Sequence, residues 1–195
     1  LHICIKSQHT MRVMTLDPAA FDAACLRLEA DAAAAGVPDL VVGIATGGDR
    51  VAARMFVEVP HVSVSLRRPS TPRKERAGVL FGLLRRMPRR VADLLRMAEA
   101  RILASRPARV LPLTLPPDVA AIAGAQRVLV VDDAVDSGAT LRAVLDAVGS
   151  VAGDREVRSV ALTVTTRHPL ATPDHALWRE GVLIRFPWSK DYRQI

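Results

Sequence analysis

Residues 128–140 of the chain read VLVVDDAVDSGAT. Three carboxylates (Asp132, Asp133, Asp136) and two hydroxyls (Ser137, Thr140) fall within nine positions, with Gly138 and Ala139 between the hydroxyls. An unpaired carboxylate taken out of water costs several kcal/mol, so an apolar strand running into Asp132-Asp133 needs a reason. Either the pair faces water as a polar strand end, or a ligand binds there. Ser137, Gly138, Ala139 and Thr140 suit a turn that opens a helix. Their small side chains let free backbone N–H groups approach an anion, which makes a cradle for a phosphate dianion. Two carboxylates beside a phosphate would repel it unless they serve another part of the ligand. Ribose hydroxyls are the obvious candidates, because carboxylates accept their hydrogen bonds well.

Such a constellation has to be held by strands and helices, and the flanking sequence supplies both. DPAAFDAACLRLEADAAAAGVP, from Asp17, reads as a helix with Asp17 at the N-cap, Pro18 at N1, and Gly36 and Pro38 as the stop. DLVVGIATGG (39–48) predicts a buried strand ending in a glycine pair. Residues 49–57 suit a helix and HVSVSLRR (61–68) alternates like a strand. Val91, Leu94, Leu95, Ala98 and Ile102 follow a helical spacing that ends before Pro107. Further strands are expected at 109–115, through QRVLVVDD, at 157–165 and at 181–188, with helices at 116–125 and 138–149. Strands that alternate with helices and are apolar on both faces predict an α/β fold: a mostly parallel central sheet flanked by helices. Ligands of such sheets bind beyond the carboxyl ends of the strands, where Asp132 to Thr140 would lie. Residues 1–10 precede Met11 and are expected to be an extension or cloning remnant. Residues 11–195 are expected to form one domain with a basic loop and helical insertion at about 67–107.

The 195 residues are half apolar and carry a net charge of +7. That charge is local: residues 67–109 hold thirteen Arg or Lys against three acidic residues, a net of +10, which leaves −3 for the remainder. An anionic partner is expected at that segment. The only cysteines, Cys4 and Cys25, form no C-x-x-C spacing, which argues against a disulfide framework or a thiolate zinc site. The five histidines form no cluster, and no apolar run approaches the length that spans a bilayer. No secretory signal is visible. A soluble, cytoplasmic protein without membrane partners is the expectation.

VLVVDDAVDSGAT resembles the thirteen-residue signature with which type I phosphoribosyltransferases bind phosphoribosyl pyrophosphate (PRPP). It departs from that signature at Ala134, where a larger aliphatic residue is usual. The resemblance covers about residues 36–188 and is nearest in style to the guanine/xanthine-type members. It implies a Rossmann-like sheet with a small hood. It also implies that Asp132 and Asp133 hold the ribose 2′ and 3′ hydroxyls, while Asp136, Ser137, Gly138, Ala139 and Thr140 wrap the 5′-phosphate. Asp136 occupies a position that is also aspartate in purine-type members, where it assists proton movement on the base; its alternative is a helix N-cap. Thr46, Gly47 and Gly48 resemble the pyrophosphate loop, with Thr46 where an Arg or Lys is common. Arg67, Arg68, Arg73, Lys74 and Arg76 suit the loop that closes over PRPP and neutralises the departing pyrophosphate. LIRFPWSKDY resembles the tail that lies against the nucleobase, so Phe186 or Trp188 is expected to stack on a base or else to close the core.

The implied reaction is displacement of pyrophosphate from C1 of PRPP by a ring nitrogen, or its reverse. Mg²⁺ is the implied cofactor, held mainly through ligand and water oxygens. A homodimer is one assembly the resemblance allows. Two rivals share the fold: a PRPP- or nucleotide-binding regulator whose basic segment contacts nucleic acid, and a biosynthetic phosphoribosyl enzyme outside standard salvage. The first is kept open by Thr46 and the +10 segment, although few aromatic residues interleave those charges.

Overall fold

A computed structural model of the protein describes residues 12–65, 89–104, 119–189 and 191–193. The strand expected at 109–115, the loop at 67–78 and residues 1–10 lie outside the described residues. The described chain starts with a short strand, β1 (Arg12–Thr15), that the sequence reading did not anticipate. Helix α1 (Pro18–Ala33) follows. It begins where expected, because the Asp17 carboxylate accepts a hydrogen bond from Ala20 N at 2.8 Å and Pro18 lacks only an N–H that would have no helical partner.

Strand β2 (Leu40–Ile44) runs into helix α2 (Gly47–Ala52), and β3 (His61–Val64) comes next. The glycine pair therefore opens the helix instead of forming a separate turn. Helix α3 (Arg89–Ala104), α4 (Val119–Gly124), β4 (Arg127–Val135), α5 (Ala139–Ala152), β5 (Glu156–Val164) and β6 (His175–Arg179) complete the main body. Strand β6 was not anticipated either. The main sheet has the order β3-β2-β4-β5-β6, and every neighbouring pair is parallel.

Alternate residues of these strands enter two separate cores. Val41, Leu129, Val131, Val160 and Leu162 pack with Phe21 and Leu28 of α1. Leu40, Val42, Val128, Val130 and Ala161 pack with Ile122 of α4 and with Leu141, Val144 and Val148 of α5. Coverage on both faces explains why β2 and β4 are nearly continuous apolar runs. The apolar fraction of the chain is thus spent on fixing one line of strand ends, the one at which Asp132 and Asp133 emerge.

The last strand, β7 (Val182–Arg185), is shorter than the 181–188 expected and leaves the main sheet. It pairs in parallel with β1, from Arg12 opposite Val182 to Thr15 opposite Arg185. Arg185 is buried, and its guanidinium donates to Asp93 at 2.5 Å, Asp191 at 2.9 Å and Thr15 Oγ1 at 3.0 Å. Burial works against that charge, but the bonds to Asp93 and Asp191 outweigh it and hold Arg185 above its ordinary pKa. This cluster fastens α3 to the small sheet. Among the described residues no helix is long and apolar enough to cross a membrane.

Candidate active site

The fold brings together two stretches that are more than eighty residues apart in sequence. Strand β4 carries Asp132, which is 7% exposed, and the half-buried Asp133. The first turn of α2 lies against them. A Cβ added at Gly47 would overlap the Asp133 carboxylate, and one at Gly48 would overlap the Val131 carbonyl. Only glycines permit this approach, so the pair meets a packing requirement as well as shaping a loop. The Ala45–Thr46 peptide just before them is cis, and Thr46 itself is exposed.

The strand does not stop at the aspartates, as the sequence suggested, but continues to Val135. Asp132 Oδ1 accepts a hydrogen bond from Asp133 N at 2.9 Å. Burial, reinforced by the neighbouring Asp133 charge, pushes the Asp132 carboxyl well above the usual carboxylate range. Burial raises Asp133 as well. A buried and a half-buried carboxylate side by side are favoured by a shared proton, a counter-cation or hydroxyl donors that lie against them. That is the chemistry of a diol- or metal-binding pair.

Beyond β4 the chain turns through Asp136 and Ser137 to Gly138, which is the N-cap of α5 and has a left-handed φ of +73°. Asp136 is therefore not the cap, and its carboxylate is engaged elsewhere. The connection between β5 and β6 grips this turn. Thr165 N donates to Val135 O at 3.0 Å and Thr165 Oγ1 to Asp136 Oδ1 at 2.6 Å. Thr166 Oγ1 donates to Asp136 O at 2.9 Å, and Leu170 N to Ser137 O at 2.7 Å. A Cβ on Gly138 would lie 2.6 Å from both N and O of Ala171. The turn is thus held by the protein's own hydrogen bonds, with α5 starting at Ala139 and Thr140 half-exposed beside it. A fourteen-residue helix begins there, and its first N–H groups and dipole favour an anion.

The matching profile of the phosphoribosyl transferase domain spans residues 17–192. The chain belongs to the phosphoribosyltransferase family. Solved structures agree on the fold. A purine phosphoribosyltransferase from Pyrococcus horikoshii Ot3 is 21% identical, with a TM-score of 0.59, covering 95% of this chain and 99% of that one. The Helicobacter pylori xanthine-guanine-hypoxanthine phosphoribosyltransferase is 17% identical, with a TM-score of 0.56, covering 91% and 94%. A hypothetical protein from Neisseria gonorrhoeae with bound ppGpp is 16% identical, with a TM-score of 0.60, covering 92% and 90%. A search of curated proteins finds no significant match. The signature in β4 and the α/β sheet thus agree with the family that the sequence pattern suggested.

Of the other residues that the sequence pattern marks, Arg67, Arg68, Lys74, Arg73 and Arg76 lie outside the described residues. Phe186 is buried, with its ring parallel to that of Trp188 at 4.7 Å, and both rings meet Phe21 edge-on. The Arg50 guanidinium lies 5.2 Å from the Trp188 ring, so the tail is held against the outer side of α2. Sequence reasoning missed Arg50, Thr165 and Thr166. For the two threonines the available signal was their place at the end of a strand next to β4. Among the described residues no three His, Cys, Asp or Glu side chains converge into a metal cage. The oxygen-only donors of Asp132 and Asp133 fit a hard cation that is shared with a ligand's own oxygens.

Proposed function

We propose that the protein transfers a 5-phosphoribosyl group between PRPP and a nitrogenous, purine-like base, releasing or consuming pyrophosphate. The observation that carries this reading is the meeting of the carboxylates of buried Asp132 and half-buried Asp133, a hydrogen-bonded turn opening α5 and the glycine pair at one sheet edge. Asp132 and Asp133 accept hydrogen bonds from the ribose hydroxyls. The N–H groups of residues 137–140, with the hydroxyls of Ser137 and Thr140, surround the 5′-phosphate. Thr46, Gly47 and Gly48 border the pyrophosphate, and Arg67, Arg68 and Lys74 suit closure over it. The C1–O bond to pyrophosphate breaks as a C1–N bond forms, and Asp136 takes the proton that the ring nitrogen gives up. Of the two base-side candidates, Phe186 is buried in the core against Phe21 and Trp188 and closes it, so the half-buried Trp188 is the one kept on the base side.

Mg²⁺, when bound, would supply charge neutralisation for pyrophosphate, with Asp132 and Asp133 as the protein side of its oxygen shell. Fixed carboxylates and a fixed phosphate turn hold C1 in one place, and orientation of this kind accounts for much of the acceleration in reactions that need no covalent nucleophile. The test is a panel of bases with PRPP and Mg²⁺, and of nucleotides with pyrophosphate, read by mass spectrometry in the wild type and in Asp132→Asn/Asp133→Asn. Turnover by the wild type that is lost in the double variant is expected. Full turnover by the variant would remove these residues from the reaction.

A second reading is favoured by Thr46 and the +10 segment: a nucleotide-binding regulator that contacts nucleic acid. The bound ppGpp of the Neisseria structure suggests guanosine polyphosphates as one ligand to try. Salt-dependent retardation of RNA or DNA, together with a blank turnover panel, would favour this alternative.

A further inference from the structure

Two threonines near the carboxyl end of β5 carry buried hydroxyls, each bonded to a different neighbouring element. Thr163 Oγ1 donates to the Val182 carbonyl at 2.8 Å and ties the main sheet to β7. Thr165, 8% exposed, donates to Asp136 Oδ1 at 2.6 Å. The second bond reaches across 29 residues to a side chain that is otherwise exposed. Valine would fill the same volume just beyond this apolar strand, and a buried hydroxyl without a partner would be destabilising. The hydroxyl is therefore matched to the carboxylate and not to the packing.

From this geometry we infer that Thr165 is a positioning residue for Asp136. It holds the carboxylate through Oδ1, and Oδ2 is the oxygen assigned to the ring N–H of the base. The inference rests on the proposed transfer reaction. In that reaction the C1–O bond to pyrophosphate breaks, C1–N forms, and the ring proton passes to Asp136 Oδ2 and from there to water. The surrounding connection supports the assignment. Thr166 Oγ1 holds the Asp136 carbonyl, Leu170 N holds the Ser137 carbonyl, and Ala171 closes over Gly138. Contacts other than the Thr165 hydroxyl therefore already secure the turn, and that hydroxyl's remaining task is orientation of a side chain.

The experiment compares Thr165→Val, Thr165→Ala and Thr165→Ser, alone and on Asp136→Asn, by kcat, KM for the base and PRPP affinity from calorimetry. Removing the hydroxyl is expected to lower kcat by roughly 10- to 100-fold, the range for a misaligned reacting group, with PRPP affinity within about twofold of wild type. Serine should restore kcat. On Asp136→Asn, the valine change should add less than about twofold, because the two residues act as one unit. A Thr165→Val enzyme with wild-type kcat overturns the inference, and so does an equal loss of kcat on both backgrounds. If valine prevents folding, the alanine and serine pair decides in the same way. If no base is turned over, the functional reading falls and the positioning claim is judged by crystallography. One Asp136 rotamer in wild type and serine, dispersed in valine, sustains it; an unchanged rotamer in valine refutes it.

Discussion

Changing Asp132 to Asn should make the protein more stable and a poorer binder of PRPP. Asp132 is 7% exposed, and its ionised form gains one backbone hydrogen bond, from Asp133 N at 2.9 Å. Against that stand burial and the Asp133 charge, which together raise its pKa well above 3.8. Asparagine keeps the Oδ1 acceptor and removes the charge. A buried group that lacks adequate partners costs about 1–3 kcal/mol, so Asp132→Asn should raise stability by about that amount at neutral pH. For a chain of this size each kcal/mol shifts Tm by roughly 2–4 °C. The pH dependence gives the mechanism a signature. A carboxyl whose folded pKa is raised binds its proton more tightly in the native state, so its stabilising contribution is complete below 3.8 and is lost as pH rises through the folded value. The advantage of asparagine should therefore vanish near pH 4, grow with rising pH and level off above the raised pKa. Losing charge-assisted bonds to the ribose hydroxyls should weaken PRPP binding by roughly 10- to 150-fold, or about 1.5–3 kcal/mol. Thermal unfolding from pH 4 to 8 and calorimetric titration with PRPP measure both effects. A variant that is less stable at pH 7, or a Tm gain that does not change with pH, would refute the reasoning.

Gly138→Ala should cost about 2–4 kcal/mol in urea unfolding, combining a left-handed φ of +73° with a Cβ 2.6 Å from the Ala171 backbone; a change below about 0.5 kcal/mol would mean that the connection yields easily. Asp191 is held below its usual pKa because, although burial opposes it, the bond to Arg185 and the charge of Arg96 prevail. Its contribution is present above pH 3.8 and fades as pH falls through the lowered folded value. Asp191→Asn should therefore lose roughly 1.5–3 kcal/mol at pH 7 and show a flatter acid limb in a Tm–pH series. Burial pushes the Cys25 thiol to about pH 12, so peptide mapping after iodoacetamide at pH 8 should find Cys25 unmodified in the native protein and alkylated in urea.

The parts of the structure that could be read from the sequence are those whose causes are local. VLVV is buried on both faces and declares itself by composition, and Asp17-Pro18 announces a helix whose N-cap bond is indeed made. Strand β1 is four residues long and owes its order to β7, about 170 residues away, so no local pattern marks it. In β7 the run GVLIRF looked like one more buried strand, and nothing in it signals that its partner lies outside the main sheet. HALWR of β6 sits at the sheet edge with mixed burial, which blurs the alternation on which strand reading depends. The site divides in the same way. The aspartates and the turn that follows them are contiguous, so their placement at a strand end before a helix was legible. The grip of Thr165 on Asp136 was not, because threonine is an ordinary strand former and only the fold shows where its hydroxyl goes.

The contact between Gly47 and Asp133 also bears on how this site can drift during evolution. Any side chain at 47 strikes the Asp133 carboxylate, and any at 48 strikes the Val131 carbonyl, so both positions are held by packing whether or not pyrophosphate ever binds. Retention of the glycine pair in a descendant would say nothing about retained catalysis. Thr46 is exposed and its side chain caps no helix, so packing places little restraint on it. Under the proposed function, position 46 is where loss or change of leaving-group chemistry would be written first, and the threonine found there is a more informative letter than the two glycines beside it.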